Sequence, residues 1–345
     1  MSSRSQKDMS TNRYERQQCL PEIGVHGQQV FRTTKVLVVG AGGLGNGVLP
    51  YLVGAGLKHI VLVDPDVVSL SNLHRQVLYK ESDVGFTKVE CAKRELNALN
   101  HECYIETHFK RLTSANVAQL CDGIDLVLDC ADNFAVSYVL SDYCLAHNVS
   151  LVSASVLGFE GYVGGFCGGK PSLRALFPEL PQRAQNCSSA GIMGPVVGML
   201  ASVQAQYALN ILLKLTPSPL GQLYSIDLRL LKHRSFRFDD AQEPPIDKCL
   251  SFIDVSAICR DDWVLDLRSL ATTNSDDANA ATSIRNKAVH HLSIDEFCKI
   301  RPTPKNQQNA VIVCKTGLTA WRAARLLQQY WSGDIRLIAL GEDPL

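Results

Sequence analysis

KVLVVGAGGLGNGVLPYLVGAGLKHIVLVD, residues 35–64, decides the fold. Residues 36–39 form an apolar run bounded by glycine, the mark of a strand buried on both faces in a parallel sheet. Gly40, Gly42 and Gly45 then spell G-x-G-x-x-G, with Gly43 between them. This spacing turns the chain tightly, brings backbone N–H groups up to a phosphate, and packs the following helix close to the strand. A second apolar strand, residues 60–63, ends in Asp64, nineteen residues beyond Gly45, where a carboxylate meets ribose hydroxyls. The unit therefore reads as an adenine-nucleotide site. The glycines alone do not choose between NAD, FAD and ATP, and a turn that only packs is the bland alternative.

The rest of the chain narrows the choice. Its 345 residues make room for about two domains. Lys and Arg number 34 and so do Asp and Glu, so no long-range field favours nucleic acid or an anionic membrane. No 18-residue apolar window occurs and the N-terminus is polar, which points to a cytoplasmic protein with residues 1–12 disordered. The 12 cysteines are dispersed, several within apolar runs, as reduced core thiols are, and no pair has C-x-x-C spacing.

Downstream of Asp64, a polar cluster with Asn72, Arg75 and Gln76 follows at the carboxyl edge of the sheet, where open α/β sheets bind ligands. Lys88 opens a helix whose apolar positions recur at helical spacing. A cation set against the helix dipole is a candidate phosphate ligand. Residues 124–133, IDLVLDCADN, read as another buried strand. At its end Asp129 and Asp132 offer carboxylates for Mg²⁺, or a cap for the next helix. Two glycine-rich strands then replace the βαβ pattern. Cys187 lies in a run of small residues ahead of an apolar helix, and Cys314 on a strand-to-helix turn where backbone N–H groups favour a thiolate or persulfide. Between them, residues 239–248 carry two adjacent prolines and four acids and read as an exposed linker.

Taken together, RYERQ, GAGGLG, VDPDVVSLSNLHRQ, the G-x-x-K of residues 85–88, DCADN and NCSSAG occur in the order of the MoeB/ThiF group of E1-like adenylyltransferases, which residues 13–238 resemble. The resemblance implies a Rossmann-like E1/ThiF fold of the α/β class, with a mostly parallel sheet continuing into antiparallel strands. It also implies an enzyme that uses ATP and Mg²⁺ to adenylate the C-terminal glycine of a ubiquitin-like sulfur-carrier protein. Carried onto this chain, the roles are the following. Gly40, Gly42, Gly43 and Gly45 form the nucleotide turn; Asp64 and Asp66 lie at the ribose; Asn72, Arg75, Gln76 and Lys88 face phosphates. Asp132 holds Mg²⁺ with Asn133 beside it, and Arg16 reaches the ATP of a neighbouring subunit, which implies a homodimer. Cys187 falls at the position where some members link covalently to the carrier.

Residues 249–345 resemble a rhodanese-like domain, a small α/β unit whose persulfide-bearing cysteine corresponds to Cys314. The loop keeps Gly317 and Thr319 but has Ala320 where a serine is usual, and no G-H-I-P-G-A segment precedes it. Sulfur transfer by Cys314 and a vestigial docking domain both remain open. A cysteine desulfurase is the sulfur donor such a domain would imply. Zinc, common in the family on two C-x-x-C pairs, is not expected, since residues 172–175 read SLRA. Three other readings compete with this one. An NAD-dependent oxidoreductase leaves Arg16, Arg75, Lys88 and Asp132 without work; the others are an E1-like enzyme for a small-molecule or tRNA carboxylate and an inactive scaffold with a docking tail. The pathway (thiamine, molybdopterin, thiolated tRNA or a thiocarboxylate natural product) is not written in the residues.

Overall fold

The computed structural model describes residues 12–180, 191–268, 289–305 and 307–341. Two short helices, α1 (Glu15–Gln18) and α2 (Gly24–Thr33), lead into β1 (Lys35–Val39), α3 (Gly43–Ala55) and β2 (His59–Val63), the strand–turn–helix–strand unit expected from the quoted stretch. The chain continues through α4 (Lys88–Leu99), β3 (Tyr104–His108), α5 (Val117–Leu120), β4 (Leu126–Asp129) and α6 (Phe134–Ala146). The hairpin β5 (Ser150–Leu157) and β6 (Glu160–Cys167), the single turn α7 (Leu173–Leu176), the long α8 (Gly194–Leu212), and the hairpin β7 (Gln222–Asp227) and β8 (Lys232–Arg237) complete the first part.

These strands form one eight-stranded sheet in the order β3-β2-β1-β4-β5-β6-β7-β8. It is parallel from β3 to β5 and antiparallel from β6 onward. Alternation in the central strands sends each face to its own core. Val36, Val38, Ile60 and Leu62 pack with α3, α4 and α8, whereas Leu37, Val39, Val61 and Val63 pack with α5 and α6. Both faces are covered, which is why these strands are apolar throughout.

The second sheet comprises β9 (Ser251–Phe252), β10 (Trp263–Asp266), β11 (Val289–His291), β12 (Ala310–Cys314) and β13 (Ile335–Ala339), with α9 (Ile294–Ile300) and α10 (Leu318–Leu327) between strands. Its order is β11-β10-β12-β13-β9, and every pairing is parallel. α10 begins three residues ahead of Trp321, because Gly317, at φ 87°, starts it directly after the Cys314 turn.

Each sheet has a core of its own on one face, Val264, Val311, Val313 and Ile338 in the second, and the two share a core on the other. One hydrophobic cluster runs from β1 and α6 through Leu173 and Leu180 to Phe252 and Trp321. The stretch between the sheets is mostly exposed, as its composition implies, but it folds back. Glu243 accepts hydrogen bonds from the Ser172 backbone N–H and hydroxyl, both at 2.6 Å. Arg174, buried, donates twice to Asp142 and once to the Leu250 carbonyl, and lies over the Tyr138 ring. Ion pairs, a side-chain cap by Ser172 and packing thus fasten the segment where the family resemblance would place a first cysteine pair.

Candidate functional site at the carboxyl edge of the large sheet

Gly40 ends β1 at φ 101°, and a Cβ there would lie 2.6 Å from the Cys130 carbonyl oxygen. A Cβ on Gly45 would overlap the Gly40 carbonyl. Only glycine permits both contacts. The Ala41 peptide at the centre of the turn is held from two sides. Its N–H donates to Asp64 Oδ2 at 2.7 Å, and its carbonyl accepts from the Tyr79 hydroxyl at 2.8 Å. Asp64 Oδ1 accepts from the Asp66 N–H at 2.8 Å. Both oxygens of the expected ribose ligand are therefore engaged by backbone, and burial pushes its carboxyl up to about 6. Asp66 is the more open of the two carboxylates at this strand end, with its side chain 48% exposed.

Lys88 begins α4, as expected, but it is not a lone cation. Its Nζ pairs with Asp66 Oδ2 at 2.8 Å while its own side chain is 7% exposed. Position against the dipole is thus offset locally and no longer argues for phosphate by itself. Asn72 closes a short 3-10 turn, and its carbonyl accepts from the Arg75 and Gln76 N–H groups. Arg75 is half-buried with Nη1 on the Ser71 carbonyl. Gln76 is buried, its amide nitrogen 3.8 Å from where a Gly42 Cβ would stand, and its Oε1 has no partner among the described residues. A buried acceptor of this kind beside a glycine turn is a cost that a bound donor would relieve.

At the end of β4 the two aspartates divide their tasks. Asp129 is fully buried, accepts from the Ser153 hydroxyl and the Ala131 N–H, and is pushed up to about 6 by burial. Asp132 is exposed. The cap of α6 is neither of them: Asn133 Oδ1 accepts from the Ala135 and Val136 N–H groups at 2.9 and 3.4 Å. Asn133, expected beside the nucleotide, spends its side-chain oxygen on the helix. This leaves the Asp132 carboxylate uncommitted among the described residues, at the strand's carboxyl end. A hard divalent cation shared with phosphate oxygens suits such a carboxylate, so the residue fits the Mg²⁺ that the resemblance implies.

Arg16 sits elsewhere. α1 packs on the C-terminal end of α3, through Gln17 on the Ala55 carbonyl and Tyr14 against Gly56. The glycine turn is at the other end of that 13-residue helix, roughly 20 Å away at 1.5 Å per residue. Arg16 is exposed and does not join its own chain's nucleotide turn. Cys187 lies outside the described residues.

Cys314 is 3% exposed, and its Sγ receives the Gly317 N–H at 3.1 Å and the Ala320 N–H at 3.3 Å. The backbone cradle expected for this turn is present. Its effect on ionisation is smaller than that of burial, which leaves the thiol above its ordinary range, so the expected stabilisation of a thiolate does not prevail here.

Two residues escaped the sequence reading. Tyr79 looks like one more aromatic in an apolar run, and only the fold puts its hydroxyl on the Ala41 and Lys88 carbonyls. Gln204 is the buried polar residue of apolar α8. Its Nε2 donates to the Asp129 and Val152 carbonyls, tying the helix to the end of β4, and an amide inside an apolar helix was its signal.

The ThiF family model matches residues 14–249. The chain belongs to the ThiF family. Its relatives include the adenylyltransferase and sulfurtransferase MOCS3 of Aedes aegypti, 38% identical over 92% of this chain and 81% of that protein. Another is the MOCS3 protein of Culex quinquefasciatus, 43% identical over 58% of this chain and 47% of its own length. The chain thus spans four fifths of the first relative but about half of others. Among solved structures, E. coli MccB with ATP aligns at TM-score 0.59 and 24% identity over 69% of this chain and 74% of its own. PaaA aligns at TM-score 0.57 and 21% identity over 69% and 76%. These structures share the fold of this chain over the aligned part. Among the described residues no helix is long and apolar enough to cross a membrane, and no group of three His, Cys, Asp or Glu side chains is placed to hold a metal ion.

Proposed function

We infer that this ThiF-family protein adenylates the C-terminal glycine of a ubiquitin-like sulfur carrier and that its second sheet passes sulfur to the activated glycine. The observation that carries the first half is Asp132: Asn133 takes the helix cap and leaves that carboxylate free beside a glycine turn braced by Asp64 and Tyr79. Family membership and likeness to adenylyltransferase and sulfurtransferase relatives support the rest.

In this reading the carrier's terminal carboxylate attacks the α-phosphorus of ATP, the bond to the β-phosphate oxygen breaks, and pyrophosphate leaves. No protein nucleophile is needed, so the chain's work is positioning and charge compensation. The Gly40–Gly45 turn and the start of α3 receive phosphate oxygens; Arg75 compensates their charge, and Lys88 does so where phosphate competes with Asp66 for its ammonium. Asp66, more open than Asp64, faces the ribose, while Asp64 braces the turn. Asp132 would hold Mg²⁺, which supplies charge neutralisation on the departing pyrophosphate. Arg16, too far along α3 from its own turn, serves the site of a second copy, and a homodimer with shared sites follows.

Sulfur transfer then falls to Cys314. Its thiolate takes sulfane sulfur from a donor, such as a cysteine desulfurase's persulfide, whose own thiolate is released. The Cys314 persulfide attacks the acyl carbon and AMP leaves with the C–O electron pair. A thiol then attacks the Cys314 sulfur of the resulting acyl disulfide, so that the thiocarboxylate leaves, and a second thiol reduces the mixed disulfide left on Cys314 and restores its thiol. ATP–pyrophosphate exchange with small ubiquitin-fold proteins ending in Gly-Gly tests the first half. Exchange that depends on one of them is expected; ATP binding without exchange for any of them would move the reading to a small-molecule carboxylate.

A further inference from the structure

α6 starts one residue after Asp132's neighbour Asn133 and carries, within its next turns, the residues on which the second sheet rests. Tyr138 meets the Trp321 ring at 5.5 Å, and Asp142 holds Arg174, which reaches the Leu250 carbonyl at 2.9 Å. Trp321 and Arg325 belong to α10, the helix whose first turn cradles the Cys314 sulfur. Both side chains converge on one carboxylate from the other half. Glu179 Oε2 accepts from Trp321 Nε1 at 3.2 Å and Arg325 Nε at 3.0 Å, while Oε1 lies 2.7 Å from Arg325 Nη2. Arg325 further lies over the Trp321 ring and donates to the Lys248 carbonyl.

We propose that Glu179 is a positioning residue for sulfur transfer: its two-pronged grip on Arg325 and Trp321 sets the orientation of α10, the helix that cradles the Cys314 sulfur, relative to the adenylation site. The inference rests on the sulfur-transfer reading of Cys314. The physical case is one of geometry against stability. A fork-to-fork arginine–carboxylate pair fixes direction as well as distance. Glu179 is 58% exposed on its side chain, so the pair adds little to overall stability. Removing it therefore leaves both halves folded and individually competent while widening the range of α10 orientations. Misplacement of a reacting group by about 1 Å is enough to slow a transfer severalfold or more.

The experiment uses the full chain as Glu179→Ala, Glu179→Lys and Glu179→Asp, with thiosulfate as sulfur donor, a thiol reductant, and the ubiquitin-fold protein that supports pyrophosphate exchange. Thiosulfate gives its sulfane sulfur to the Cys314 thiolate and leaves as sulfite, so Cys314 is loaded independently of the carrier. Single-turnover appearance of carrier thiocarboxylate is expected to fall roughly tenfold in the Ala variant and further in Lys, with Asp recovering part of the loss. Pyrophosphate exchange, sulfur transfer to cyanide and melting temperature stay near the parent values. Unchanged thiocarboxylate formation in Ala and Lys overturns the proposal, as does a parallel fall in all three activities, which is the mark of a role in folding alone. Cys314→Ala separates the two levels: if it leaves thiocarboxylate formation intact, the sulfur-transfer reading has failed, whatever Glu179 does.

Discussion

Two strand-to-helix turns in this protein are built alike and used differently. One joins β1 to α3 through Gly40, the other β12 to α10 through Gly317, and both glycines adopt positive φ. Each turn gathers backbone N–H groups at the carboxyl edge of a parallel sheet. In the second, the cradle is filled by the chain's own Cys314 sulfur. In the first, the side chains are glycine and alanine, and the fixed groups are braces outside the turn, Asp64 and Tyr79 on either side of the Ala41 peptide. In the proposed function the first turn receives an anion brought from solution, whereas the second holds a sulfur that belongs to the chain. β12 ends in Cys314 where β1 ends in Val39, so the second turn carries a sulfur that its own N–H groups hold.

The sharpest way to break this comparison is at the first turn. Gly45→Ala puts a methyl group into the Gly40 carbonyl, so ATP binding measured by calorimetry is expected to vanish, with destabilisation of about 3 kcal/mol in urea melts. Retained binding would mean that the turn is not the phosphate cradle. Asp132→Ala removes the free carboxylate without touching the α6 cap; pyrophosphate exchange should drop by about 10²-fold or more while the melting temperature holds. An exchange rate within a few-fold of the parent would sink the metal assignment.

At the second turn, Cys314→Ala is expected to leave pyrophosphate exchange unchanged and to abolish sulfur transfer from thiosulfate to cyanide. Loss of exchange as well would show that the turns are not independent.

A smaller effect sharpens the role of the brace. Asp64 holds its proton up to about 6 in the folded protein against an ordinary 3.8, so the native state binds that proton more tightly than the unfolded chain. Its contribution to stability is complete below about pH 4 and is lost as pH rises through 6. Melting temperature of the parent therefore declines between these values through this group, and Asp64→Asn should flatten that decline. An identical pH profile in the variant would show that Asp64 does not titrate as its burial implies.

The quoted stretch announced β1, α3 and β2 because glycine spacing and an unbroken apolar strand are local properties, written residue by residue. The same holds for Lys88 at the start of a helix and for the cradle around Cys314. Other features depend on what distant residues do. Asp64 was legible as a strand-end carboxylate, but its two oxygens are claimed by Ala41 and Asp66 only once β2 lies beside β1. Asp132 was on paper a candidate for metal or for the cap of the next helix, and Asn133 stood only beside the nucleotide. Backbone geometry gives the task to Asn133.

The sequence by itself determined the family, the glycine turn and the order of the two sheets, because short-range sterics and apolar patterning carry that information. Tertiary structure alone decided which carboxylates are free, that Lys88 has a partner, that Arg16 stands a helix-length from its own glycine turn, and that α6 links the two halves. Those are facts about burial and long-range pairing, where desolvation and the positions of groups far apart in the chain settle what each side chain can do.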